Sequence, residues 1–340
     1  MSSSTSSSDT AADAAAAPAW GRWLVTFVAT LGVAGALVSA LILIVDPYDS
    51  GFGLLGIKGV DDASPRTANA SRARDLQFDS AVIGNSTGQL VKPSELSQLT
   101  GAKFVQVTTP GTGPREQLAV MDYFVRHHPR VGALVITADA SWCMRDPALP
   151  LQHPFPFWLY GESRFDYVTR MFSSRALRHA GRRLMILSGR RQPHAADGYW
   201  DYEKEGGGEF APVIGPGNDG GPAPANVSED FPGVALLGVA IRKLPADVPV
   251  VLFVPPVFYS TLPKAGSAAA AEEAACKAAL RKLVAGRARS NFIDFRVDNA
   301  LTRERANFMD FGHYRAIIAR RMEQGIAASI KLGDKAKTEF

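Results

Sequence analysis

The residues of this chain whose types and spacing could do chemistry are a serine just beyond a short apolar run and, far downstream, an aspartate three residues ahead of a histidine. The serine is Ser86, in Ile83-Gly84-Asn85-Ser86-Thr87-Gly88. Its small neighbours permit a tight turn and close backbone approach by a substrate. The pair is Asp310 and His313, in Asn307-Phe308-Met309-Asp310-Phe311-Gly312-His313-Tyr314. At a loop-to-helix junction this spacing lets carboxylate and imidazole point to one side. The carboxylate then fixes the imidazole tautomer and stabilises the imidazolium formed when His313 takes the Ser86 proton. That chemistry is nucleophilic acyl transfer. Read alone, Gly-Asn-Ser also fits an ordinary turn, and Asp310 a helix cap beside an incidental histidine. Asn85-Ser86-Thr87 matches the N-glycosylation pattern too, a reading discounted beside a buried strand.

The elements that must position these residues show as apolar runs alternating with helical patterns. Residues 79–83 (DSAVI), 104–107, 133–137 (ALVIT), 248–254 (VPVVLFV) and 292–295 read as short buried strands. Helical spacing occupies residues 115–128, 268–284 and 314–330. Strands alternating with helices predict an α/β domain, over residues 78–333, whose parallel sheet is covered on both faces. Such sheets place reactive groups in the loops after the carboxyl ends of strands. Ser86 follows the first strand, and Asp310 and His313 precede the last helix. An insertion of about residues 146–232 separates the third and fourth strands. It opens with aromatic residues, passes through a basic helix-like stretch and ends in a loop rich in Gly and Pro; a loop this long is functional or disordered. The aromatic run 155–160 reads as a packed lid or interface, or, through Trp158 and Tyr160, as a stacking platform for a sugar ring.

Ahead of the domain, residues 1–19 are rich in Ser and Ala and read as disordered. Residues 24–45 then hold 22 uncharged side chains, which as a helix at ~1.5 Å per residue span roughly 33 Å, enough to cross a bilayer. The anchor is placed at residues 20–45, with Trp20 and Trp23 at one interface and Asp46-Pro47-Tyr48 marking the exit at the other. Residues 46–77 read as a polar linker. A cleaved signal peptide, cut after Val38-Ser39-Ala40, is the competing reading; the acidic leading segment and the apolar run on to Val45 favour an uncleaved anchor. Arg22 lies on one side and Lys58 and Arg66 near the other, so charge counting leaves the orientation open.

The 340 residues are 46% hydrophobic, ample for a buried core, and their 37 basic and 33 acidic side chains nearly balance. The densest basic stretch, 178–191 (RHAGRRLMILSGRR), reads as a solvated helix face or a surface for anionic lipid or glycan. No basic module interleaved with aromatics is visible, and nucleic acid is not an expected partner. Cys143 and Cys276 lack metal-ligand spacing; they pair with each other outside the cytoplasm or remain two buried thiols. His127 and His128 read as polar groups at a helix end, and Asp294 and Asp298 as structural. No metal or cofactor is expected.

In this order the features resemble the SGNH (GDSL-like) hydrolase superfamily. They look most like its membrane-anchored bacterial branch, which includes envelope-polysaccharide O-acyltransferases and esterases. The residues that carry the resemblance are Asp46-Pro47-Tyr48, Val82-Ile83-Gly84-Asn85-Ser86, Pro255-Pro256 after the fourth strand, and Phe308-Met309-Asp310-Phe311-Gly312-His313-Tyr314-Arg315. It spans about residues 45–322, most of the insertion excepted. It implies a three-layer, flavodoxin-like domain behind one N-terminal transmembrane helix, held on the periplasmic side of a bacterial inner membrane. Ser86 would be the nucleophile, His313 the general base and Asp310 its orienting acid. The oxyanion hole would use the N–H groups of Ser86 and of Gly111, in Thr109-Pro110-Gly111-Thr112; one such donor is worth about 3 kcal/mol of barrier. The substrate implied is an ester-linked acyl group of an envelope glycan or lipid. Transfer, rather than hydrolysis, would need a multi-span acyltransferase as partner.

Two departures stand out. Asn85 occupies a place where the superfamily usually has Asp. The third-block Gly-x-Asn-Asp is missing after the third strand, where Thr137-Ala138-Asp139-Ala140 puts Asp139 nearest the expected Asn. An ionised Asp139 would repel an oxyanion or contact substrate, and Asn85 is the candidate replacement donor. The alternative function is a catalytically inactive SGNH-like accessory protein that binds a glycan or an assembly partner.

Overall fold

The structure, a computed structural model, describes residues 10–51, 64–148, 154–191, 196–206, 210, 230–336 and 338. Its centre is a sheet of β1 (Ser80–Ile83), β2 (Phe104–Gln106), β3 (Ala133–Thr137), β4 (Val250–Val254) and β5 (Asn291–Asp294). All neighbours are parallel, in the order β2-β1-β3-β4-β5. Ala81 faces Val105 on one side and Leu134 on the other, and Leu252 faces Phe292. Each of the expected strands is present. The chain leaves β1 for β2 and then returns across it to β3, so the order reverses at β1, where open α/β sheets form their ligand crevice.

In chain order the helices are α1 (Thr10–Val45), α2 (Pro65–Arg72), α3 (Pro93–Thr100), α4 (Pro114–His127), α5 (Phe157–Tyr160) and α6 (Arg164–Met171). They continue with α7 (Ser174–Leu187), α8 (Tyr202–Gly206), α9 (Pro232–Arg242), α10 (Ala268–Val284), α11 (Ala300–Arg303) and α12 (Ala316–Leu332). Pro93 and Pro114 start α3 and α4 at a position whose N–H is unused anyway, and Gly101 ends α3 at φ 81°. Ala81, Ile83, Leu134, Ile136 and Leu252 pack into one core with residues of α4, α9 and α10. Val82, Val135, Val251, Phe253 and Ile293 pack into a second core with residues of α3 and α12. Burial on both faces explains why β3 and β4 run almost wholly apolar and show no alternation.

α1 carries Trp20–Val45, a stretch with mean hydropathy 2.5 that is long and apolar enough to cross a membrane. Its helix starts at Thr10, so the disorder expected for residues 1–19 does not hold over 10–19; residues 1–9 lie outside the described residues. α1 ends where Asp46 turns to φ 48° and Pro47 cannot continue the helix. The residues beyond are not a free linker. Ile42, Val45, Tyr48, Asp46 and Asp49 are all buried. Arg183 of α7 donates to the carbonyls of Val45, at 3.0 Å, and Asp46, satisfying a helix end. The Asp46 carboxylate accepts from the Tyr167 hydroxyl at 2.5 Å and from Ser50 at 2.9 Å. That of Asp49 accepts from Ser71 at 2.6 Å and from Arg74 at 2.7 Å. The expected linker 46–77 is thus a buried junction followed by α2, with residues 52–63 outside the described residues.

The insertion is helical over its first part, as α5, α6 and α7. It then lies along the free edge of β2, where the Gln106 N–H donates to the Asp197 carbonyl at 2.7 Å. Its Gly- and Pro-rich stretch, apart from Gly206 and Phe210, lies outside the described residues. Cys143, after β3, is bonded to Cys276 of α10 across 133 residues, which selects the disulfide from the two readings. On the second face, Glu323 of α12 accepts the Lys92 N–H at 2.6 Å at the start of α3 and pairs with Arg320 at 3.0 Å.

Two stability predictions follow from these contacts. Replacing both cysteines by serine should lower unfolding stability by about 3 kcal/mol, read as a lower urea midpoint under non-reducing conditions. Burial pushes the Glu323 carboxyl up to about 7, against the downward pull of the Lys92 N–H and Arg320. Because the folded value lies above the unfolded one, near 4.5, the stabilisation is whole below about 4.5 and is lost as pH rises to about 7. Stability should therefore fall by up to about 3 kcal/mol across that window. Glu323→Gln should flatten this dependence in urea titrations run at each pH.

Candidate functional site

Ser86 opens a single 3-10 turn, Ser86–Gly88, immediately after β1. Asn85 caps that turn: its Oδ1 accepts the Thr87 N–H at 3.0 Å and the Thr87 hydroxyl at 2.8 Å. The glycines on either side are there for packing. A Cβ on Gly84 would stand 2.6 Å from Thr137 Oγ1, and one on Gly88 2.3 Å from it. The small residues therefore admit the side chain of β3 beneath the turn, rather than a substrate's approach. Tyr314, fully buried, holds the turn from the other side by donating its hydroxyl to the Thr87 carbonyl at 2.6 Å.

The Asp310–His313 block is a narrow loop closed by an antiparallel bridge between Phe308 and Tyr314. It is tied to the loop after β4 where the Phe258 N–H donates to the Phe311 carbonyl at 3.0 Å. Asp310 accepts from the backbone N–H groups of Gly312 at 2.7 Å and His313 at 2.8 Å, and its Oδ2 lies 2.8 Å from His313 Nδ1. Burial acts to raise the Asp310 carboxyl, but hydrogen bonds from the imidazole and these N–H groups outweigh it and hold the carboxyl below its usual range. Asp310 stays ionised and fixes the proton on Nδ1. Nε2 is then left to accept the Ser86 hydroxyl, 2.9 Å away. The structure thus brings Ser86, His313 and Asp310 into one hydrogen-bond chain at the carboxyl edge of the sheet, within general-base reach.

The loop 109–112 crosses beside this chain, its Thr109 N–H bonded to the Gly84 carbonyl at 2.8 Å and Gly111 held exposed at φ 66°. Among the described residues, no protein acceptor takes the N–H of Ser86 or of Gly111. Asn85 is not free to join them, because its Nδ2 donates to Asp139 Oδ2 and, at 3.4 Å, to the Thr112 carbonyl. Asp139 also accepts from Ser141, at 3.0 Å from its N–H. The candidate donor and the feared carboxylate therefore satisfy each other. Burial raises the Asp139 carboxyl above its usual range, against these hydrogen bonds.

Trp158 and Tyr160 do not meet Ser86. Tyr160 is buried, and its hydroxyl donates to the Arg66 carbonyl at 2.8 Å; the Trp158 ring packs edge-on to Tyr48. They pack beside the junction because large aromatic side chains gain more from burial inside than from exposure on a surface. Sequence reasoning missed four residues around the site. Arg66 donates to the Pro110 carbonyl at 2.8 Å, and Asn69 donates to the Thr108 carbonyl at 2.9 Å. Tyr202 stands edge-on to the His313 ring, 6.1 Å between centroids, and Glu203 accepts the Ala316 N–H at 2.7 Å at the start of α12. None belongs to a motif: they come from the expected linker and from the insertion. His127 and His128 bond back to helical carbonyls, and His128 is buried rather than at the surface. A groove of about 1030 Å³ opens beside Asp139, lined by Met144, Leu262, Lys264, Glu273, Lys277 and Arg296 among others, and not by Ser86 or His313.

Asn85→Asp should oppose two carboxylates at the Asp139 contact and cost about 2 kcal/mol. The exchange of Asn85→Asp with Asp139→Asn should recover most of that loss. Urea midpoints of the single and double variants check this, and an unaffected Asn85→Asp would contradict the pairing. Comparison with known proteins finds no matching family model, no matching curated protein and no matching solved structure.

Proposed function

We propose that this protein is a membrane-anchored serine esterase or O-acyltransferase of the SGNH type, acting on ester-linked acyl groups of a cell-envelope glycan or lipid. The observation that carries this reading is the chain Ser86–His313–Asp310, with distances of 2.9 and 2.8 Å and placed at the crevice where the strand order reverses. Ser86 attacks the ester carbonyl while His313 Nε2 takes its proton, and the ionised Asp310 stabilises the imidazolium. The Ser86 and Gly111 N–H groups are the donors available to the oxyanion. His313 then returns the proton to the leaving alcohol, and water or a sugar hydroxyl resolves the acyl-enzyme.

The 26-residue apolar helix supports anchoring in a membrane. The Cys143–Cys276 disulfide supports a domain on the oxidising, extracytoplasmic side. One span cannot move acyl groups across a bilayer, so transfer would draw on a multi-span acyltransferase. A second reading, an inactive SGNH-type protein that binds glycan or an assembly partner, is favoured by one observation: Asn85 is turned to Asp139 and adds no third oxyanion donor.

A fluorophosphonate probe separates the two. For the enzyme, wild-type chain should be labelled at Ser86, and Ser86→Ala and His313→Ala should abolish labelling. Asp310→Asn should slow it by about 10³–10⁴-fold. A folded wild-type chain that takes no label would leave only the inactive reading.

A further inference from the structure

We infer that α6 and α7 form a platform seated in the headgroup layer of an anionic bilayer, beside the point where α1 leaves it. This rests on reading α1 as a bilayer span. The contacts place α7 at that exit: Arg183 bonds the carbonyls of Val45 and Asp46, while His179 stands 5.3 Å, ring to ring, from Tyr48. As α1 leads out through Val45 towards Tyr48, α7 therefore runs the opposite way, and its last turn points back along the span. The length of the span agrees. From Trp23 to Val45 a helix rises roughly 33 Å, close to the ~30 Å of hydrocarbon, so with the tryptophans at one interface the other falls at the turn α7 touches.

The two helices are amphipathic in the sense such a seat requires. α6 buries Tyr167 and Met171 against the domain and exposes Phe165 and Val168, Phe165 to 76%, and Phe172 just after it is exposed too. α7 buries Ala176, His179, Ala180 and Arg183 and exposes Leu184, Met185 and Leu187. A run of large apolar side chains facing outward needs a partner. Its charge identifies which. Arg170, Arg175, Arg178 and Arg190 are exposed and Arg182 half-buried among these apolar residues, against only Glu162 and Asp166 as acids on the same stretch. Apolar side chains flanked by arginines, next to a membrane span, match an interfacial helix on anionic lipid. The two helices sit on the same face of the sheet as α4 and α10, so that face is turned to the bilayer and α12 away from it.

Site-directed nitroxides on the full chain, in vesicles of phosphatidylcholine with a minority of phosphatidylglycerol, test this through relative collision with oxygen and with a water-soluble nickel complex. Labels at Phe172→Cys and Met185→Cys should be oxygen-rich and nickel-poor, Leu37→Cys more so, and Gln324→Cys on α12 open to nickel. Adding Arg175→Glu, Arg178→Glu and Arg182→Glu should shift both platform labels towards nickel. If Leu37→Cys is itself aqueous, the span fails and the platform with it. If Leu37→Cys is buried while both platform labels match Gln324→Cys, the platform alone is overturned and the patch is left to a protein partner. Platform labels indifferent to the three charge reversals would overturn the role of anionic lipid.

Discussion

A parallel strand buried on both faces has nothing reactive to offer along its length. Its backbone groups are spent on its neighbours and its side chains on two cores, so chemistry can only gather at its ends. That constraint organises this molecule. The turn after β1, the loop after β2, the turn after β3 and the block beyond β5 all emerge at one edge of the sheet. Ser86 and His313, 227 residues apart in sequence, meet there because their strands have no other place to put them. The polar residues at the strand ends then fit to one another. Thr137 closes against Gly84 and Gly88, and Asp139 reaches across from β3 to Asn85 after β1.

The same constraint decides what can be read without coordinates. β3 and β4 were the most legible strands because two-faced burial favours unbroken apolar runs, as in Ala-Leu-Val-Ile-Thr and Val-Val-Leu-Phe-Val. The long helices α10 and α12 were legible by period. α2 was not. Its residues Ala68-Asn69-Ala70-Ser71 are polar or small, yet buried, because Asn69 is satisfied by Thr108 and Ser71 by Asp49. No periodicity announces a polar helix whose partners lie 39 and 22 residues away. The surroundings of Asp139 were hidden for a related reason. A carboxylate beside a reacting serine looks repulsive until its partner, 54 residues upstream, is seen to be an amide. The aromatic run at Trp158 and Tyr160 reads as a packed element or as a sugar platform, and the structure packs both rings beside the junction.

At the exit of α1, buried carboxylates and guanidinium groups are matched with little surplus. Asp49 takes Ser71 and Arg74, Asp46 takes Tyr167 and Ser50, and Arg183 takes the last helical carbonyls. Withdrawing one member of such a buried set strands the others, at a cost of about 3–5 kcal/mol. The helix end is therefore part of the domain's body rather than a tether, and a domain joined in this way cannot swivel freely on its anchor.

α2 extends this rigidity to the reactive edge. Its carboxyl end is held to the junction by the Ser71–Asp49 bond, reinforced just beyond by Arg74. Its amino end carries Arg66, which bonds the Pro110 carbonyl, and its middle carries Asn69, which bonds the Thr108 carbonyl. Those two carbonyls flank the segment that aims the Gly111 N–H. One helix of eight residues, about 12 Å long, therefore links the exit of α1 to the loop beside Ser86. Tyr160 supports it from outside by bonding the Arg66 carbonyl. A chain that only needed a tether could have used any polar linker here. This one spends buried polar groups on fixing its candidate site relative to the end of α1.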